Sequence, residues 1–115
     1  MILLATVLCA PLVITDGDTF VCNDERIRIL GLDAPETYFA ECDAEYRLGV
    51  VAKRRLEVLI GAANLEVRRN GKDRYDRTLA KVIADGTDVA EPMISEGLAR
   101  PCKSAGCRKS WCEAK

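Results

Sequence analysis

The sequence predicts a small β-rich α+β fold, built from five strands and two to three helices. Three observations lead to this class: short apolar segments that alternate as strands do, turn residues between them, and one stretch in which the apolar spacing becomes helical. At 115 residues the chain suits a single domain, residues 1–115, that buries a core of its own. No apolar stretch of the sequence is long enough to cross a membrane, so no membrane partner is expected.

The chain begins with a predicted hairpin. The apolar run over residues 2–14 predicts one long strand with Pro11 at an edge or bulge, because proline cannot donate to a ladder. No basic residue precedes this run and no clear cleavage site follows it, so it is read as a strand in preference to a secretion signal. The segment Asp16 to Thr19 has the composition of a tight turn, and a second strand starts at Thr19.

A third strand is predicted over residues 26–32, after a turn at residues 23–25. Ile27 and Ile29 fall on one face of this strand, and Arg26 and Arg28 fall on the other. We therefore expect the isoleucines to be buried in the core and the arginines to find partners on the opposite face.

A long helix is predicted from residue 44, with Asp43 as its cap and Gly61 as its stop. The apolar residues that recur at helical spacing are Leu48, Ala52, Leu56 and Leu59. This helix is expected to cover one open end of the sheet.

The rest of the chain adds two strands and a short helix. The strands are predicted over residues 65–69 and 78–84, and the helix begins at a cap, Asp88, and ends at Gly97. Five strands with a helix between the third and the fourth fit a five-stranded Greek-key barrel of the OB-fold type.

Acidic side chains collect around the third strand. Asp33 and Glu36 follow it on either side of Pro35, which fixes its own backbone. If the hairpin packs beside this strand, Asp18 approaches Asp33. Two carboxylates that converge without a lysine between them predict a site for a hard cation.

Three motifs occur in a fixed order: DGDT at residues 16–19, RILGLDAPE at 28–36 and DRYDRTLA at 73–80. Each motif alone is a weak signal, since DGDT by itself would usually be a hairpin turn. Together, in this order and at these separations, they resemble the staphylococcal nuclease (thermonuclease) family over nearly the whole chain.

The resemblance implies a calcium-dependent endonuclease that hydrolyses DNA and RNA, single strands preferentially, with little base specificity. By motif position, Asp18, Asp33 and the backbone carbonyl of Ala34 would bind Ca²⁺. Asp16 and Thr19 would surround these ligands without contacting the ion. Calcium suits such a set because its ligands are hard oxygens in a loose geometry. Glu36 would orient or deprotonate the attacking water.

The same resemblance assigns arginines to the phosphate. Arg28 and Arg77 would grip it from two sides, because the guanidinium fork forms paired bonds that lysine cannot copy. Arg74 and Tyr75 would contact a terminal phosphate. From the residues alone, Arg28 could equally be a structural ion-pair partner of Asp33 or Glu36, and Tyr75 could be a packing residue.

Two departures from the family pattern bear on function. Asp76 stands where the family usually has glycine, which adds negative charge near the phosphate and could restrict a turn that needs positive φ. Arg100, Pro101 and Cys102 follow Ala99, where the staphylococcal enzyme supplies tyrosines near the nucleotide. The alternatives are therefore a non-catalytic nucleic-acid-binding OB-fold module with a vestigial site, and a cysteine-stabilised interaction module.

The even count of six cysteines favours disulfides in a secreted or periplasmic protein, expected to be a monomer. A bond between Cys42 and Cys112 would close a loop of about seventy residues and stabilise by roughly 4 kcal/mol through the unfolded state. The other candidate pairs are Cys9 with Cys22, which needs a bulge near Pro11, and Cys102 with Cys107. Zinc is disfavoured, since the sequence has no histidine and no C-x-x-C pair.

Charge is unevenly distributed along the chain, although the net charge is only −1. Residues 1–45 contain nine acidic residues and two arginines, whereas residues 46–115 contain fifteen basic and nine acidic residues. An acidic part suits a cation and a basic part suits phosphate. The low net charge argues against a polycation that binds nucleic acid by charge alone.

Overall fold

The computed structural model describes residues 6–103 and 107–112. Eight strands and two helices lie within these residues, in the order β1 (Leu12–Asp16), β2 (Thr19–Cys22), β3 (Glu25–Ile29), β4 (Gly31–Asp33), α1 (Asp43–Gly61), β5 (Leu65–Lys72), β6 (Thr78–Ala84), β7 (Thr87–Asp88), α2 (Ala90–Ser95) and β8 (Arg100–Cys102).

The strands form a mixed six-stranded sheet and a small two-stranded sheet. The large sheet has the order β1-β2-β3-β6-β5, with β7 beside β6, and its only parallel pair in the described part of the chain joins β3 to β6. Strands β4 and β8 pair separately. The predicted β-rich α+β OB-type fold is confirmed, but the sheet is open: among the described residues, an isolated bridge from Val7 to Leu65 spans the gap between its edges.

The core lies between the large sheet and α1. Ile27 and Ile29 of β3 are fully buried, as the strand alternation predicted, and Ala52 and Leu56 of α1 pack in the same cluster. The cluster consists almost entirely of aliphatic side chains, with Phe20 as its aromatic member. Burial of this apolar surface is the main term that stabilises the fold.

Some predicted boundaries are wrong. The first strand begins at Leu12; residues 6–11 form only the Val7 bridge, and residues 2–5 lie outside the described part. The third strand ends at Ile29, because Gly31 takes a left-handed conformation (φ 95°) that redirects the chain into β4.

The predicted helix caps need a similar correction. Asp43 is the first residue of α1, and the cap position belongs to Cys42, whose side chain makes no capping bond. Asp88 does accept a hydrogen bond from the backbone N–H of Ala90, at 2.9 Å, although α2 has its formal cap at Val89. Neither helix in residues 6–103 is long and apolar enough to cross a bilayer.

Three disulfides join the pairs that the sequence analysis proposed: Cys9–Cys22, Cys42–Cys112 and Cys102–Cys107. The β1–β2 register does set Cys22 opposite Leu12, but its irregularity lies between Ile14 and Asp16 and not near Pro11. Asn23 holds the segment before β1 instead, through hydrogen bonds with Ala10 and Leu8.

Candidate active site

The turn between β1 and β2 is buried against α1, which explains its glycine. A Cβ on Gly17 would lie 2.8 Å from the Cβ of Ala52 and 3.0 Å from that of Ala34, too close for any side chain. The neighbouring Asp18 is 8% exposed and its backbone carbonyl accepts a hydrogen bond from the N–H of Ile29. Close packing of the turn thus brings Asp18 to the end of β3.

Two hydrogen bonds orient the Asp18 carboxylate. Its Oδ2 accepts the backbone N–H of Ala34 at 2.9 Å, and its Oδ1 accepts the hydroxyl of Thr19 at 2.9 Å. The carboxylate therefore lies beside Asp33, itself 6% exposed at the end of β4. The predicted approach of Asp18 to Asp33 is therefore present, and the backbone of Ala34 lies beside both.

Arg28 lies between the two carboxylates. Its Nη1 donates to the carbonyls of Ile29 and Leu32, at 2.6 and 2.9 Å. Its Nη2 lies 3.6 Å from Asp18 and 3.7 Å from Asp33. One side of the guanidinium is thus fixed to the backbone, while the other faces both acids at distances longer than a full hydrogen bond.

Asp16 lies behind the turn and holds the chain after Glu36. Its Oδ1 accepts both the N–H and the hydroxyl of Thr37, at 3.0 and 2.8 Å. Burial raises the pKa of Asp16, and the nearby charge of Asp18 raises it further. The two hydrogen bonds from Thr37 lower this pKa but do not cancel the rise.

Glu36 is half-buried, and its backbone packs directly on α1. A Cβ on Gly49 would lie 2.5 Å from the carbonyl oxygen of Glu36, so only glycine permits this approach. Burial raises the pKa of the Glu36 carboxyl; Arg108 opposes that rise, whereas Asp16 and Asp18 reinforce it. A raised pKa brings a carboxylate closer to the range in which it serves as a base.

Two residues that the sequence analysis did not single out complete the acidic cluster. Glu45 is fully buried at the start of α1, where it accepts the backbone N–H groups of Glu36 and Glu41, both at 2.9 Å. Arg108 donates to the same carboxylate. Burial would raise the pKa of Glu45, but these backbone and guanidinium hydrogen bonds outweigh burial and lower it.

The second arginine predicted for the phosphate, Arg77, is engaged elsewhere. Its Nε donates to Asp73 at 2.7 Å, and its guanidinium lies over the ring of Tyr75. Within the described residues, Arg77 forms its ion pair with Asp73 and not with Asp18 or Asp33. Because Thr78 pairs with Ile27, Arg77 nevertheless lies at the same end of the β3–β6 pair as Arg26.

Arg74 and Tyr75 form an exposed unit in the loop before β6. Arg74 donates to the hydroxyl of Tyr75 at 2.7 Å and stacks on its ring, while Arg26 donates to the backbone carbonyl of Tyr75. Asp76 adopts the left-handed conformation (φ 63°) and pairs with Lys72 at 3.2 Å, so its charge is partly offset.

The oxygens of Asp18, Asp33 and Ala34 suit a hard cation. Two carboxylates and a carbonyl are the donors that Ca²⁺ prefers, and guanidinium groups already bridge them. No group of three or more acidic, cysteine or histidine side chains with metal-binding geometry occurs among the described residues. Water or substrate oxygens would therefore have to complete a calcium shell.

The fold is that of the staphylococcal nuclease class of OB-type domains. The family model described as "Staphylococcal nuclease homologue" matches residues 26–111, and the chain belongs to that family.

Curated relatives carry nuclease names. The chain is 33% identical over 96 residues to an "Uncharacterized endonuclease" of Haemophilus influenzae, covering 79% of this chain and 50% of that protein. It is 36% identical over 93 residues to the SPbeta prophage-derived endonuclease YokF of Bacillus subtilis, covering 74% and 31%. With the "Thermonuclease" of Staphylococcus intermedius the identity is 33% over 92 residues, covering 76% and 55%. The chain thus spans about half the length of these relatives, or less.

Proposed function

We propose that this protein is a calcium-dependent endonuclease that hydrolyses DNA and RNA, single strands preferentially, with little base specificity. The observation that carries the proposal is the position of Arg28, with Nη2 within 3.7 Å of both Asp18 and Asp33. An arginine beside two converging carboxylates provides a place for a cation and a phosphate next to each other. The nuclease names of the relatives support the same reaction class.

In this proposal Asp18, Asp33 and the carbonyl of Ala34 hold Ca²⁺. When bound, the ion would neutralise phosphate charge and polarise the phosphorus centre. The hydrogen bonds from Ala34 and Thr19 keep the Asp18 carboxylate aimed at Asp33, with Asp16 fixing the loop behind it. The acids are therefore preorganised by backbone contacts.

Arg28 and Glu36 carry the remaining roles. Nη1 of Arg28 is satisfied by two carbonyls, so Nη2 keeps donors available for a phosphate oxygen on which charge develops. Glu36, with a pKa raised first by burial, is the proposed base that takes the proton from the attacking water. Both groups act on the phosphate and its nucleophile, which explains the low base specificity.

Arg77, Arg74 and Tyr75 are assigned to the substrate on the other side of β3. For Arg77 to reach a phosphate, its bond with Asp73 must be exchanged for one with the substrate. Arg74 and the exposed Tyr75 would contact the terminal phosphate of a nucleotide. The three disulfides suit a secreted or periplasmic protein, and we propose that the single domain acts as a monomer.

The test is digestion of single-stranded DNA with calcium chloride and then with excess EGTA. We expect cleavage only with calcium, and strongly reduced cleavage by Asp18→Asn. Asp24→Asn removes the same charge from an exposed turn and should leave cleavage unchanged. Cleavage that persists in EGTA would refute the calcium assignment. DNA binding without cleavage under any of these conditions would instead favour the non-catalytic module.

A further inference from the structure

Arg108 contacts the same oxygens that the proposed function assigns to the cation. Its Nη1 lies 3.4 and 3.3 Å from the two carboxylate oxygens of Asp33 and 3.4 Å from the carbonyl oxygen of Ala34. Its Nη2 donates to Glu45. One nitrogen of the guanidinium therefore neutralises a buried carboxylate. The other contacts two of the three proposed calcium ligands at distances near the limit of a hydrogen bond.

The segment that carries Arg108 is fixed on both sides of the site. Before it, β8 pairs with β4, with Arg100 opposite Asp33, and the Cys102–Cys107 disulfide follows. After it, Cys112 is bonded to Cys42 at the start of α1. Arg100 stacks on Trp111 and donates to the carbonyls of Lys109 and Ser110, which closes the segment on itself. The strand pairing and the two disulfides thus hold Arg108 beside the site.

The two sets of contacts differ in how easily they can be exchanged. Glu45 is fully buried, so removal of its counter-ion would leave an uncompensated charge in the interior. The contacts to Asp33 and Ala34 are at the long limit of hydrogen bonding, and a cation at these oxygens would repel the nearby guanidinium. When a cation binds, the contact of Arg108 with Glu45 should therefore persist, and its contact with Asp33 should be lost.

We propose that Arg108 is a resident competitor of the cation: its guanidinium shares Asp33 and Ala34 with Ca²⁺ while remaining paired with Glu45, and so lowers the calcium affinity of the site. This inference rests on the proposed calcium function. It predicts that the site binds calcium more weakly than its oxygens alone would allow.

The experiment is a calorimetric titration of the disulfide-bonded protein with calcium chloride, without substrate. For Arg108→Gln we expect a Kd lower by about tenfold or more, the order expected for removal of a unit charge a few ångströms away in a partly solvated site. Arg108→Lys keeps a counter-ion for Glu45 but loses the fork, so it should tighten binding by a smaller factor. Arg55→Gln removes the same charge from an exposed pair with Glu96 and should leave Kd unchanged.

The outcomes separate the two proposals. Unchanged or weaker calcium binding in the folded variants would overturn the competitor role. If Arg108→Gln does not fold, Arg108→Lys decides alone. Calcium-dependent cleavage by the parent with equal Kd in the variants refutes this inference and leaves the proposed function standing. Absence of calcium binding in parent and variants alike refutes both.

Discussion

Gly49 offers a direct test of whether the position of Glu36 controls turnover. In Gly49→Ala the new Cβ would lie 2.5 Å from the carbonyl oxygen and 2.8 Å from the carbonyl carbon of Glu36, where ordinary contacts begin at 3.4 Å. Helix α1 is held by Ala52, Leu56 and Ile60 in the core, so the segment at Glu36 is the part that yields.

The geometry sets the size of the effect. Restoring an ordinary contact requires a shift of about 1 Å at Glu36, and such a misplacement of a reacting group can cost about 10²-fold in rate. Overpacking costs about 1–3 kcal/mol, offset by about 0.5–1 kcal/mol because alanine is the better helix former. We therefore expect kcat to fall by about two orders of magnitude while the protein stays folded.

Gly61→Ala is the matched control, since a Cβ at this last residue of α1 meets nothing within 4 Å. It should leave kcat unchanged and should not lower the melting temperature. Both variants are measured with calcium and single-stranded DNA, and their folding is followed by thermal unfolding. Full activity of Gly49→Ala in a folded protein would refute the argument that packing on α1 positions Glu36 for the reaction.

Three further predictions concern single charged residues. Arg28→Lys should spare calcium affinity and lower kcat by about 10²–10³-fold, because one transition-state donor is lost; parental turnover would make Arg28 a structural residue. Asp76→Gly should raise melting temperature and activity, since glycine accepts φ 63° without strain and removes a negative charge; no gain would show that pairing with Lys72 suffices. The hydrogen bonds from Arg69 hold the pKa of Glu25 at about 2, below the ordinary 4.5. Its stabilisation is therefore present above pH 4.5 and lost as pH falls toward 2, so Glu25→Gln should lower the melting temperature at pH 7 and not at pH 2.

Local patterns were sufficient to predict the strand that carries Arg28. Alternation in residues 26–29 placed Ile27 and Ile29 in the core and Arg28 opposite them, and the structure agrees. The turn at Gly17 and the exit at Asp33 were also evident, because turn chemistry and proline act over a few residues. The first strand was predicted too long, since an apolar run does not show where pairing ends.

Glu45 and Arg108 were missed for different physical reasons. Glu45 lies on the buried face of α1 with Gly49, Ala52, Leu56 and Ile60, a face shifted from the predicted one. The sequence signal for its burial is that Glu45 falls at helical spacing with these small and apolar residues. Arg108 has no local signal: its position depends on β8 and on a disulfide that closes 70 residues. Contacts of this kind depend on the whole topology and not on any segment.

The charge balance of the site relates the proposed cation to the proposed polyanionic substrate. Carboxylates outnumber guanidinium groups in and around the site. The carboxylates belong to Asp16, Asp18, Asp33, Glu36 and Glu45. The guanidinium groups belong to Arg28 and Arg108, which contact Asp18, Asp33 and Glu45. A phosphodiester adds further negative charge, so its approach is unfavourable until that excess is offset. Arg28 cannot offset it alone, because its single positive charge already faces two carboxylates. The excess negative charge that repels a phosphate therefore favours binding of a divalent cation. The positive charges of the two arginines set how much of that excess the cation can neutralise.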